Sequence, residues 1–124
     1  MRILLVDDSK TMRNIQKKAL DALGTNEYCE AGDGVEALAQ IAKATGPFDI
    51  VLVDWNMPNM DGLTFVTRVR QSDKKTPMVM VTTEAEKTRV IEAIKAGVNN
   101  YVIKPFTPDG LQEKVKLTLA KAAA

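Results

Sequence analysis

The chain has 124 residues, the size of one ordinary domain that can bury a core without disulfides or metals. Its 17 lysines and arginines nearly balance its 16 aspartates and glutamates, so a formal charge of +1 argues against nucleic-acid and membrane-surface proteins. The sequence contains no histidine, which excludes histidine-based nucleophiles, histidine metal ligands and phosphohistidine carriers.

Nothing in the sequence indicates export or a membrane anchor. The apolar runs, such as Ile3 to Val6, are too short to cross a bilayer or to form a signal-peptide core. The single cysteine, Cys29, cannot form an internal disulfide, which agrees with a reducing compartment. We therefore expect a cytoplasmic protein, with one domain over residues 1–124 and no output domain.

Short β-favouring runs alternate along the chain with segments of helical periodicity. The predicted strands are, in chain order, Arg2–Val6, Glu27–Ala31, Ile50–Val53, Met78–Val81 and Asn100–Ile103. The apolar stripes of the predicted helices are Met12, Ile15, Ala19 and Leu23; Leu38, Ile41 and Ala42; Leu63, Val66 and Val69; Ile91, Ile94 and Val98; and Leu111, Val115 and Leu119. Five strand–helix units predict an α/β fold, a parallel sheet with right-handed crossovers and helices on both faces.

Polar side chains stand where four of these strands end. Asp7 and Asp8 follow the first strand, Asp54 the third, Thr82 the fourth and Lys104 the fifth. All strands of a parallel sheet point the same way, so these residues are expected at the edge where such sheets bind ligands. The sequence therefore predicts three carboxylates, a hydroxyl and an ammonium at one edge.

Each residue also has a purely structural interpretation. Asp8 or Ser9 could cap the first long helix, Asp54 could start a turn, and Lys104 could be a solvated charge. Thr82 is less easily explained in this way, because Thr83–Glu86 already has the pattern of a capping box. The placement of all these residues at one edge favours a functional site.

Carboxylates this close repel one another unless they share a cation. Oxygen ligands without histidine or thiolate suit Mg²⁺ or Ca²⁺, and a site with room for water and phosphate favours Mg²⁺. Asp54 could then form an aspartyl-phosphate, with Lys104 neutralising the phosphoryl oxygens and the Thr82 hydroxyl donating to them. The edge is predicted to be a phosphoryl-acceptor site.

Four strings occur in order along the chain: VDDS, VDWNMPNMDG, VTTEA and YVIKPFTP. Together they resemble the receiver domains of two-component response regulators, in particular the chemotaxis members, from Arg2 to about Leu119. The resemblance implies a single-domain, flavodoxin-like (βα)5 doubly wound parallel sheet with strand order 2-1-3-4-5.

The resemblance also implies roles for residues at the edge. Asp54 is the phosphoacceptor, and Asp8 and Asp54 ligate Mg²⁺. Asp7 supports the metal through water, Asn56 offers its backbone carbonyl, and Lys104 binds phosphate. The bond from Lys104 to the following proline is cis in the family.

A switch is implied in which the Thr82 hydroxyl moves toward the phosphoryl group and Tyr101 turns into the space vacated. Tyr101 alone could equally be an ordinary strand aromatic. Asn56 and Glu84 flank the site and are expected to set the lifetime of the phosphate. The predicted partner face consists of Lys87, Val90, Tyr101 and Lys114.

Because the chain lacks histidine, the phosphodonor must be another molecule, a histidine kinase or a small phosphodonor. The expected output partner is a flagellar motor switch protein or another output protein, with a phosphatase as a possible third partner. The protein is not expected to be a turnover enzyme, although it could dephosphorylate itself.

Two alternatives keep the same chemistry. A receiver that serves as a relay intermediate or phosphate sink would share every site residue. A phosphatase of the haloacid dehalogenase type is disfavoured, because its first motif spaces two aspartates one residue apart, whereas Ser9 stands two positions after Asp7. Neither GxGxxG nor GxxxxGK[ST] occurs, which counts against a dinucleotide or P-loop site.

Overall fold

Strands and helices alternate in the computed structural model, which describes residues 1–123. Within that range the strands are β1 Arg2–Val6, β2 Glu27–Ala31, β3 Ile50–Val53, β4 Met78–Thr82 and β5 Asn100–Ile103. The α-helices are α1 Lys10–Leu20, α2 Gly34–Lys43, α3 Gly62–Arg70, α4 Lys87–Ala96 and α5 Pro108–Ala123. A short 3-10 turn, Asp21–Leu23, follows α1.

The strands are parallel and lie in the order β2-β1-β3-β4-β5. Val6 at the end of β1 pairs with Ala31 of β2 on one side and with Val53 of β3 on the other. The predicted flavodoxin-like fold is therefore confirmed, and the ends of β1 and β3 are adjacent. Among residues 1–123, no helix has the length and apolar character that a membrane crossing requires.

The alternation of side chains along the central strands divides the core between the two faces of the sheet. Leu4 and Val6 of β1 belong to a cluster with residues of α2, α3 and α4. Ile3 and Leu5 belong to a second cluster, with residues of α1 and α5. Since helices cover both faces, β3 is buried throughout, which explains its continuous apolar run.

The structure corrects the prediction around the end of β4. The strand ends at Thr82, one residue later than predicted, because Thr82 pairs with Ile103 of β5. The capping box predicted for Thr83–Glu86 is wrong, since α4 begins at Lys87 and its N-cap residue Glu86 makes no side-chain capping bond. The polar groups of Glu84 instead bond to residues near the sheet edge, so this segment remains outside the helix.

Three predicted helical stripes were also partly wrong. In α4, Ile91 and Ile94 are 42% and 55% exposed, whereas Ala93 is fully buried. In α1, Ile15 is exposed and the buried residues are Gln16, Ala19 and Leu20. Ala42 of the second stripe is exposed, and Leu23 and Val98 lie beyond the ends of their helices. In α4 the small Ala93, rather than an isoleucine, faces the core.

Gly62 begins α3 and brings its backbone against the residue that follows β3. A Cβ at this position would collide with the backbone carbonyl of Asp54 and lie 3.0 Å from the Cα of Trp55. The Gly62 amide donates to the Trp55 carbonyl at 2.8 Å. Only glycine therefore allows this close approach between α3 and the end of β3.

We expect Gly62→Ala to lower the free energy of unfolding by about 2–3 kcal/mol, because overpacking against backbone cannot be relieved by a side-chain rotation. Urea unfolding followed by the fluorescence of the buried Trp55 would measure the loss. Gly32→Ala is the matched control, since its Cβ would meet only the end of the Glu36 side chain at 3.6 Å. Equal stability of the two variants would contradict the expected collision.

Candidate functional site

The carboxyl ends of β1 and β3 carry a cluster of acidic side chains. One carboxylate oxygen each of Asp7, Asp8 and Asp54 can be chosen so that all lie within 4.8 Å of one another. Asp7 is 1% exposed and Asp54 8% exposed, whereas Asp8 is open to solvent. The parallel sheet thus gathers the three carboxylates that the sequence placed after these strands.

Lys104, which follows β5, lies between the two buried carboxylates. Its Nζ donates to Asp7 Oδ2 at 2.8 Å and to Asp54 Oδ2 at 2.9 Å. The peptide bond from Lys104 to Pro105 is cis, as the family resemblance implied. One ammonium therefore joins the ends of three strands and offsets part of the negative charge.

The other oxygen of each buried carboxylate accepts a backbone hydrogen bond. The Ser9 amide donates to Asp7 Oδ1 at 2.9 Å, and the Trp55 amide donates to Asp54 Oδ1 at 2.7 Å. These bonds and the two from Lys104 hold both carboxylates in fixed orientations.

Of the two proposed caps for α1, the structure selects Ser9. Its Oγ accepts from the Met12 amide at 3.1 Å. The exposed Asp8 carboxylate is therefore not needed as the helix cap, which leaves it available to a ligand from solvent.

Burial raises the pKa of Asp7 above its usual value, although the hydrogen bonds from Lys104 and Ser9 act in the opposite direction. Burial alone would lower the pKa of Lys104. The bonds and charges of Asp7 and Asp54 outweigh that effect and raise its pKa. Lys104 is accordingly a permanent cation at neutral pH.

A second set of polar contacts connects the loops after β3 and β4. Thr82 is fully buried, and its Oγ1 accepts from the Glu84 amide at 3.3 Å. The Tyr101 hydroxyl donates to the Glu84 carbonyl at 2.6 Å, and Asn56 Nδ2 donates to Glu84 Oε2 at 3.3 Å. Burial, together with the negative charge of Glu84, raises the pKa of Tyr101 to about 12.

The four residues predicted for a partner face differ in exposure. Lys87 and Lys114 are exposed, and Val90 is half-buried against the core. Tyr101 is buried, with its hydroxyl on the Glu84 carbonyl, so it contributes little surface in this conformation.

Two arginines near the site were missed by the sequence analysis. Arg13 of α1 donates from its guanidinium to the Asp7 carbonyl and pairs with Glu30 of β2 at 2.9 Å. The guanidinium of Arg89 of α4 lies over the ring of Trp55, at a distance that allows a cation–π contact. An arginine on an amphipathic helix is ordinarily a solvated charge, so the sequence carried no signal for either contact.

The donor atoms fit a hard divalent cation. They are carboxylate oxygens, and the exposed Asp8 offers one that an incoming ion can reach from solvent. Such a site keeps coordination positions for water and phosphate, which is the pattern preferred by Mg²⁺.

Sequence comparison finds related proteins along nearly the whole chain. The sequence profile of the response regulator receiver domain matches residues 3–116. The chain is 48% identical to the chemotaxis protein CheY1 of Helicobacter pylori over 121 residues, which is 96% of this chain and 97% of that protein. It is 49% identical to a CheY homolog of Campylobacter jejuni over 118 residues, covering 94% and 90% of the two chains.

Solved structures show the same fold. The chemotaxis response regulator CheY4 of Vibrio cholerae superposes with a TM-score of 0.85 at 37% identity, covering 94% of this chain and 97% of that one.

The raised pKa of Asp7 predicts a pH dependence of stability. The folded state binds the Asp7 proton more tightly than the unfolded state, so this contribution is complete below pH 3.8 and is lost as the pH rises through the raised pKa. Asp7→Asn abolishes it. We therefore expect the difference in stability between Asp7→Asn and the native chain to shift in favour of the variant as the pH rises above 3.8, by about 1.4 kcal/mol per unit of pKa difference.

Urea unfolding at a series of pH values, with a chelator present, would measure this difference. Asp109→Asn, at an exposed position of α5, controls for the loss of a charge as such. If the difference in free energy of unfolding between Asp7→Asn and the native chain does not change with pH, Asp7 has the same pKa in the folded and unfolded states, which would contradict the prediction.

Proposed function

Because the chain belongs to the response regulator receiver domain family, we propose that it accepts a phosphoryl group on Asp54 and thereby switches its binding to another protein. It is homologous to the CheY chemotaxis response regulators. Receivers of this kind are generally signalling proteins rather than turnover enzymes. The observation that carries the proposal is the Asp54 carboxylate, held by Lys104 beside two further aspartates.

In the proposed reaction a carboxylate oxygen of Asp54 attacks phosphorus. The bond from phosphorus to the donor atom breaks, and the donor keeps the electron pair. Lys104 is positioned to transfer one of its hydrogen bonds from the carboxylate to a phosphoryl oxygen, which offsets the incoming charge.

Mg²⁺ is typical of the family, and its proposed ligands are Asp8, Asp54 and the backbone carbonyl of Asn56, with Asp7 acting through water. Bound there, it would supply positive charge to the phosphoryl oxygens. The carboxylates supply the oxygen chemistry that this role requires.

We propose that Thr82 and Tyr101 transmit the change. A phosphoryl group on Asp54 attracts the Thr82 hydroxyl, which in this structure accepts from the Glu84 amide. Tyr101 already occupies a buried position with its hydroxyl on the Glu84 carbonyl. Phosphorylation would therefore act by shifting the population between buried and exposed orientations of Tyr101.

The proposed contacts with an output protein are Lys87, Val90, Tyr101 and Lys114. The names of the relatives favour a role in chemotaxis. For that role we propose a histidine kinase as phosphodonor and a flagellar motor switch protein as output. Asn56 and Glu84 are proposed to set the phosphate lifetime, whether the group leaves by autodephosphorylation or with a phosphatase. The free Cys29 agrees with action in the cytoplasm.

Titration with beryllium fluoride, an aspartyl-phosphate mimic, tests the acceptor. We expect a saturable change in the fluorescence of Trp55, the only tryptophan, which directly follows Asp54. The change should require Mg²⁺ and disappear in Asp54→Asn, while Asp109→Asn behaves like the native chain. Absence of bound beryllium in the native protein would remove the basis for the proposed function.

Turnover assays distinguish the proposal from its alternatives. We expect no repeated hydrolysis of a phosphate monoester such as p-nitrophenyl phosphate, because receivers of this family are generally signalling proteins rather than turnover enzymes. Many cycles that depend on Asp54 would favour a hydrolase. Rapid transfer of the phosphoryl group from Asp54 to a histidine phosphotransfer protein would favour the relay.

A further inference from the structure

Arg89, in the first turn of α4, makes three contacts at the rim of the site. Its guanidinium carbon lies 5.2 Å from the centroid of the Trp55 ring. Its Nε lies 3.6 Å from Glu84 Oε1, and its Nη1 donates to Glu92 Oε1 at 3.5 Å. Arg89 thus connects α4 to the residue that follows Asp54 and to the residue two positions after Thr82.

The Glu84 carboxylate is held from two sides. Asn56 donates to Oε2, and Arg89 faces Oε1. Asn56 stands two residues after Asp54, so the contact with Glu84 joins the loop after β3 to the loop after β4. Without Arg89, the remaining side-chain contact is a long hydrogen bond at an exposed position, where water competes effectively for a carboxylate.

The chemistry of arginine suits this position. A planar guanidinium can stack on an indole ring while its N–H groups face carboxylates on either side. A lysine would keep the charge but lose the stacking and the planar set of donors. We therefore expect lysine at position 89 to replace the charge of arginine but not its contact with the Trp55 ring.

We infer that Arg89 is a positioning residue that lengthens the life of the phosphoryl group by holding the Glu84 carboxylate against Asn56. The inference rests on the proposed function. In the hydrolysis it restrains, a water oxygen bonds to phosphorus and the bond from phosphorus to the Asp54 oxygen breaks. Asp54 keeps the electron pair and becomes a carboxylate again. Inorganic phosphate leaves, and the proton released from the water passes to solvent.

In this inference, Glu84 held against Asn56, two residues after Asp54, keeps its negative charge on the acceptor's side of the loop and disfavours the approach of water. Released, the carboxylate moves into solvent and the approach opens. Loss of Arg89 should therefore shorten the phosphate lifetime, by about two- to fivefold, the size of effect that a partly exposed ion pair supports.

The test is to phosphorylate the full chain with acetyl phosphate and Mg²⁺, remove the donor rapidly, and follow release of inorganic phosphate. We expect Arg89→Gln to release phosphate faster than the native chain and Arg89→Lys to lie between them. Lys95→Gln, the same charge change at an exposed position of α4, should match the native rate. Raising the salt concentration should reduce the difference, because the pair is exposed.

A double-mutant cycle separates this role from a general structural one. In a Glu84→Gln background, Arg89→Gln should change the rate much less than it does in the native chain. The fluorescence of unphosphorylated Arg89→Gln should also change, because the stacked guanidinium leaves the Trp55 ring. A native lifetime in Arg89→Gln, or an equal effect in both backgrounds, would overturn the inference.

The two proposals fail differently. If the native chain takes up no phosphate from acetyl phosphate and binds no beryllium fluoride, the proposed function falls. If the native chain holds phosphate and Arg89→Gln holds it as long, only the role of Arg89 falls.

Discussion

The structure of the site depends on the Lys104 ammonium between Asp7 and Asp54. Three strand ends meet there because a parallel sheet directs them to one edge, and two of the carboxylates are almost completely buried. Removal of one partner from a buried ion pair ordinarily costs about 3–5 kcal/mol, because the other charge remains without compensation. The cluster is thus acceptable to the fold only while a cation is shared, and because three carboxylates face one ammonium, it could also bind a metal ion.

The interior and the rim of the site differ in stiffness. Around Asp7 and Asp54, every carboxylate oxygen has a short hydrogen bond from Lys104 or from a backbone amide. At the rim, the contacts of Glu84 with Asn56 and Arg89 are longer and lie near solvent. A rigid interior keeps the acceptor in place for reaction, whereas a weakly held rim can rearrange at little energetic cost.

The strands and the meeting of their final residues could be predicted because both follow from periodicity and from the direction of a parallel sheet. The buried faces of α1 and α4 could not, because Ile15, Ile91 and Ile94 are exposed while Gln16 and Ala93 are buried. Hydrophobicity alone does not reveal which face of a helix reaches the sheet.

The failure at the start of α4 has a related cause. The sequence of Thr83–Glu86 fits the local pattern of a capping box. In the structure, however, Glu84 accepts hydrogen bonds from Asn56 and Tyr101, which lie far away in sequence. The roles of Arg13 and Arg89 likewise arise from contacts between elements, which spacing along one helix does not encode. The side chains at the strand ends, Lys104 included, could be located from the sequence, whereas the arginines that contact the site from α1 and α4 could not.

In the proposed function, Glu84 links the lifetime of the phosphoryl group to the affinity for a partner. Its amide donates to Thr82 and its carbonyl accepts from Tyr101, while its carboxylate faces Asn56 and Arg89. A partner that favours the buried Tyr101 therefore also favours one backbone position of Glu84, and with it one arrangement of the rim. If that arrangement protects the phosphoryl group, as proposed, reciprocity of coupling means that phosphorylation in turn favours that partner. In the proposed function, control of phosphate lifetime and control of partner affinity are consequently coupled, since a single residue takes part in both.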